Sequence, residues 1–193
     1  MTRKRTLLAV LTFGIVLVVA AWAWPGNSLH DAKRATKQYK DVSVAEHAGY
    51  GRFLDKNQVA CIDNPPEGGM GIHYVNNDLV GDADVTPTEP EAVVYQQRRD
   101  GSLRLGALEY IVFQAAWDAN HKKVPSLFGE KFMLTPEGNR FGIPAFYSLH
   151  VWIYKHNPAG TFAMWNPRVK CPVAGAQAAP DDDMDMSHEE MDD

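Results

Sequence analysis

The sequence predicts an α+β or mainly β fold: one N-terminal helix followed by an antiparallel sheet, in a single domain. Three observations point there. Apolar residues recur at three- and four-residue steps early in the body, over residues 29–48. Beyond that point, aromatic and β-branched residues come in short runs punctuated by Gly, Pro, Asn and Asp. The clearest two runs flank Asp100-Gly101, a strong hairpin signal.

The helix is expected over residues 29–48. Ala32, Ala35, Tyr39, Val42 and Ala45 form its apolar face, Ser28 or Asp31 caps its start, and Gly49 and Gly51 end it. Residues 61–69 are turn-rich, with Asn64-Pro65-Pro66 and Gly68-Gly69. Residues 70–75 read as a strand. Residues 76–91 are acidic, contain two prolines and read as a surface loop. The hairpin joins Ala92–Gln97 to Leu103–Phe113. A loop around residues 120–125 follows, and then short apolar pieces at 127–129 and 132–134. Residues 146–154 read as a long strand. On alternation, Tyr147, Leu149, Val151 and Ile153 face one way, and Ser148, His150, Trp152 and Tyr154 the other. Asn157-Pro158-Ala159-Gly160 turns the chain into residues 161–165. No internal repeat is present.

The ends of the chain differ from this body. Arg3-Lys4-Arg5 precede an apolar run over residues 7–24, and no charge intervenes between Arg5 and Asp31. A basic cluster stays on the cytoplasmic side, so residues 1–24 read as an export signal or a membrane anchor. Ala21-Trp22-Ala23 suits a cleavage site, while the run is just long enough to span a bilayer uncleaved. The expected organisation is therefore an export segment at 1–24, one exported domain at 25–173, and an acidic tail at 174–193 with the composition of disorder. Eight acidic residues fall in the last thirteen positions, which leaves 16 basic and 16 acidic residues between 24 and 180. The body is thus neutral, with no basic stripe for nucleic acid.

Two cysteines, Cys61 and Cys171, in an exported chain predict a disulfide. Closing so long a loop contributes roughly 4–5 kcal/mol in the chain-entropy model. Two isolated cysteines without C-x-x-C spacing are weak grounds for a thiolate metal site.

Three polar residues interrupt otherwise apolar strands: His73, Glu109 and His150. On simple alternation Glu109 shares its face with Leu103, Leu105, Ile111 and Phe113, so it needs a cation or donors as partners. Arg98, Arg104 and Arg140 are candidates for a plain ion pair. Two imidazoles and a carboxylate from separate strands also make a common set of ligands for iron, zinc, copper, nickel or manganese, with positions left open. In the tail, Met184, Met186 and His188 combine thioether and imidazole, which suits copper. Over about eight residues this tail looks like the Met/His-rich stretches of exported copper-handling proteins. Motifs for a nucleophile elbow, a zincin, a phosphate loop, haem attachment and a cupin metal site are absent.

Several segments together resemble a family of exported bacterial proteins of uncharacterised function: Tyr39 with residues 45–50, residues 70–76 (Met-Gly-Ile-His-Tyr-Val-Asn), Pro90-Glu91 with Tyr95, Leu108-Glu109-Tyr110, Leu149-His150-Val151-Trp152, and Asn157-Pro158 through Trp165-Asn166-Pro167 to Cys171. The resemblance spans most of residues 35–171 and implies an exported domain. The leading expectation is an exported protein that binds a divalent transition metal through His73, Glu109 and His150. The alternatives are a non-enzymatic module holding a small organic ligand between Tyr74, Tyr110, Trp152 and Tyr154, and an envelope scaffold whose tail contacts cationic partners or metal.

Overall fold

The computed structural model describes residues 28–172, so the expected export signal or anchor at 1–24 and the Met/His tail lie outside the described residues. The expected fold is observed: short helices, then a mainly antiparallel seven-stranded sheet in one compact body. The elements in chain order are α1 (Leu29–Thr36), a 3-10 turn (Lys37–Lys40), α2 (Val42–His47), β1 (Gly51–Arg52), β2 (Cys61–Asn64), β3 (Gly68–Val75), α3 (Asn77–Gly81), β4 (Ala92–Gln97), β5 (Leu103–Phe113), α4 (Gln114–Asn120), β6 (Ser126–Leu127), β7 (Glu130–Lys131), β8 (Met133–Thr135) and β9 (Phe146–Val151). Among the described residues no helix is long and apolar enough to cross a membrane.

The expected single helix is broken in two. Asp41 takes an extended backbone and its carboxylate accepts the Ser43 amide at 3.0 Å, so it starts a new helix instead of continuing the old one. Ser28 caps α1 by accepting the Asp31 amide at 3.1 Å. Gly49 follows α2 with φ +93°, which ends the helix as expected. Residues 76–91 are not all loop, because Asn76 caps the short α3 through the Asp78 amide. Residues 61–64 pair as β2 on β3, although their composition reads as turn. α4 was not expected at all.

The sheet order is β1-β3-β4-β5-β9-β8, with β2 beside β1 on the same edge of β3. The β4–β5 hairpin has the expected bounds, and Gly101 in its turn has φ +82°. Its register shifts once: Val94 pairs with Ala107 but Tyr95 pairs with Leu105, which makes Gly106 the extra residue of a bulge. The bulge frees the Gly106 carbonyl to accept the Tyr154 and Lys155 amides. It also inverts the parity of β5. Leu105, Leu108, Tyr110 and Val112 pack in the main core with Ala32 of α1 and Ala45 of α2. Ala107, Glu109 and Ile111 fall on the other face. The expectation that Leu103 and Leu105 share a face with Glu109 is thereby corrected.

A second correction concerns residues 152–154. β9 ends at Val151, and the Trp152 amide turns to donate to Thr161 O at 2.8 Å. Tyr154 therefore reaches the helical side, where its hydroxyl donates to Lys33 O at 2.8 Å. Tyr74 and Tyr110 are buried in that same helix-facing core, whereas Trp152 packs on the opposite face with Val94, Ala107 and Val169. The four aromatic residues thus do not line one pocket.

Cys61 and Cys171 form the expected disulfide, with 5.4 Å between their Cα atoms. It ties the last described segment to β2. Reciprocal backbone hydrogen bonds between Gly69 and Asn166, at 3.1 and 3.0 Å, hold the same segment against β3.

Candidate metal centre

Sheet register brings the three polar residues together. Glu109 of β5 sits directly opposite His150 of β9, so their side chains leave the sheet as neighbours. Glu109 is also opposite Ala92 of β4, and Ala92 is opposite Val75 of β3. His73 lies two residues from Val75, on the same face and one row over. Between His73 and Glu109 the intervening strand presents only Ala92 and Val94, both buried. A larger residue at 92 would fill the space in which the imidazole and the carboxylate meet.

The side chains converge tightly. His73 Nε2 is 3.1 Å from His150 Nε2 and 3.2 Å from Glu109 Oε2, and His150 Nε2 is 3.8 Å from that same oxygen. The point equidistant from these three atoms lies about 2 Å from each, the length of a bond from a divalent transition metal to imidazole nitrogen or carboxylate oxygen. His73 and Glu109 are each 5% exposed and His150 4%, so water screens the cluster little. Ser148, two residues before His150, donates its hydroxyl to Glu109. Trp152 stacks near the His150 ring at 6.0 Å between centroids, and its indole N–H is fixed by Ala163 O at 2.7 Å. Partners of this kind orient ligands.

Of the candidate arginines, Arg140 is engaged elsewhere. Arg140 binds Asp55 through Nε at 3.1 Å and Nη2 at 2.8 Å, clamping residues 53–59 to the loop after β8. That clamp shapes a cavity of about 90 Å³ ending on His73 and Glu109, with Phe53, Phe141 and Ile143 in its wall. His150 and Ser148 face a separate cavity of about 230 Å³ together with Met133 and Met164.

The charge state suits a cation. Burial by itself would raise the Glu109 carboxyl, but the adjoining imidazoles and the hydrogen bonds from His73 and Ser148 outweigh it and hold the group down at about 2. Burial pushes the His150 imidazole down to about 4, against the opposing pull of Glu109. At neutral pH the site therefore presents a carboxylate and a neutral imidazole with a free lone pair, the forms that bind metal.

Two buried acids escaped the sequence reading: Asp55, held by Arg140, and Glu91. Glu91 sits just ahead of β4, and since the β4–β5 ladder stops at Ala92–Glu109, the Ile111 amide has no ladder acceptor on that side. Glu91 Oε2 accepts it at 2.8 Å. Burial drives this carboxyl up to about 9, so it is neutral at pH 7. Its folded value is raised, so its contribution to stability is present below the ordinary carboxylate range and is lost as pH rises towards 9. His150, whose folded value is lowered, acts in the opposite sense below about pH 6.5. Above about pH 6.5 Glu91 alone of these groups titrates. Unfolding free energies from urea titrations should fall between about pH 6.5 and 9, by at most about 1.4 kcal/mol per pH unit, and Glu91→Gln should flatten that fall. An unchanged slope in the variant would refute the assignment.

The class of molecule defined so far is an antiparallel-sheet domain carrying a buried His73/Glu109/His150 triad able to hold a metal ion. Comparison with protein-family models, curated proteins and solved structures finds no match to the chain. Of the expected site residues, the structure unites His73, Glu109 and His150, while Met184, Met186 and His188 lie outside the described residues.

Proposed function

We propose that this chain is an exported metalloprotein whose body binds a divalent transition metal through His73 Nε2, Glu109 Oε2 and His150 Nε2. The carrying observation is the triangle of three buried ligand atoms whose centre lies at bonding distance from all of them. The Cys61–Cys171 disulfide is consistent with an oxidising compartment outside the cytoplasm, and the basic-apolar start of the sequence and the resemblance to exported bacterial proteins support the same location. Three protein ligands leave at least one coordination position for water or a small molecule, so the site suits a resident ion acting as Lewis acid or ligand anchor. Two imidazoles and a carboxylate, with no thiolate among them, suit zinc, iron(II), manganese, nickel or copper(II) better than copper(I). Any copper(I) handling belongs to the tail.

The test is metal content, measured by mass spectrometry on protein purified from the exported fraction. The wild type should carry one equivalent, His150→Ala should lose it, and a chain ending at residue 173 should keep it. Loss on tail removal with retention in His150→Ala would move the site to the tail and refute the proposal, as would equal content in all three.

A further inference from the structure

The cavity that ends on His73 and Glu109 has an almost wholly hydrocarbon wall. Phe53, Val80, Ile111, Phe141, Ile143 and Phe146 line it, and Asn77 is its one polar residue besides the two ligands. Ile111 stands two residues beyond Glu109 on the same face of β5, so the apolar wall begins where the metal ligands stop. His150 does not line this space. A group bound at an open position on the His73–Glu109 side would therefore project its remainder among carbon atoms.

Charge and size narrow the occupant. This inference rests on the metal proposed above. Two neutral imidazoles and one carboxylate around a divalent ion leave one positive charge unbalanced in a buried site, which favours an anionic donor as the additional ligand. The cavity volume of about 90 Å³ is well below the roughly 150 Å³ of an engineered cavity that holds benzene. That space suits a small aliphatic group. We infer that the site takes a short aliphatic carboxylate of roughly three to five carbons, its oxygen on the metal and its hydrocarbon against Ile111, Phe141 and Phe146.

The experiment uses the full-length protein loaded with cobalt(II), whose visible spectrum reports a new ligand directly. Acetate, isobutyrate, isovalerate and octanoate are titrated in turn. Each buried methylene contributes roughly fourfold in affinity, so isovalerate should half-saturate at a concentration at least about tenfold below acetate. Octanoate should gain nothing beyond isovalerate. Ile143→Trp, which fills the cavity from a loop outside the ligand set, should bring isovalerate level with acetate and leave cobalt content unchanged. Equal half-saturation by acetate and isovalerate in the wild type overturns the inference and spares the metal site. So does a spectrum indifferent to every acid while cobalt remains bound. Failure to take up cobalt at all overturns the metal proposal, and this inference with it.

Discussion

Zinc or cobalt(II) at about a thousandfold its dissociation constant should raise the unfolding free energy by about 4 kcal/mol over the chelator-treated protein, and Glu109→Gln should remove most of that gain. The first half follows from linkage, because an ion that binds only the folded site stabilises the fold by mass action. The second half follows from the triad. Glu109 supplies the carboxylate, and its Oε2 lies 3.2 Å from His73 Nε2 and 3.8 Å from His150 Nε2. Glutamine keeps the shape and a hydrogen-bonding end towards Ser148, but it offers the cation no net charge. A hundredfold loss of affinity would already cut the increment to about 1.4 kcal/mol at the same metal concentration. The measurement is urea unfolding of both proteins with metal and with chelator. A metal increment of the same size in Glu109→Gln would show that the triad is only a hydrogen-bonded polar cluster.

Removing the disulfide by replacing Cys61 and Cys171 together with Ala should cost roughly 4 kcal/mol of stability, read from the same unfolding curves under oxidising conditions. The two residues are 110 positions apart, so the bond restricts the unfolded chain strongly. It also has a local consequence. The strap ending at Cys171 carries Val169, which packs with Val94, Ala107 and Trp152, and Trp152 in turn stacks beside His150. Loosening the strap should therefore weaken metal binding as well, though by less than loss of a ligand. A stability loss below about 1 kcal/mol would mean that the Gly69–Asn166 hydrogen bonds and the packing of Val169 hold the strap without the disulfide.

Local signals read well where the physics is local. The Asp100-Gly101 turn needs a positive φ next to two alternating runs, and both strands of that hairpin have their expected bounds. Ser28 and Gly49 act as start and stop because capping involves only near neighbours. Signals failed where a distant partner decides. Residues 61–64 become a strand only because β3 offers its edge. The break in the helix is the exception, since it comes from a near neighbour: the Asp41 carboxylate takes the Ser43 amide and starts a second helix. The side-chain parity of β5 depends on the bulge at Gly106, and an isolated glycine inside a strand pattern is the signal that marks such bulges. The same holds for Glu91, whose burial depends on where a ladder ends.

The sequence by itself determined the order of elements from helix to sheet, the cysteine pair, and which three polar residues needed an explanation inside apolar strands. Composition and short-range periodicity suffice for these, because a charged or imidazole side chain in a buried strand is costly wherever it falls. Only the tertiary structure decided that His73, Glu109 and His150 meet. They are far apart in the chain, and their meeting depends on sheet register, on the small Ala92 between β3 and β5, and on a bulge that turns Glu109 away from the helix-facing core. Register is a property of paired strands, and no single strand encodes its own.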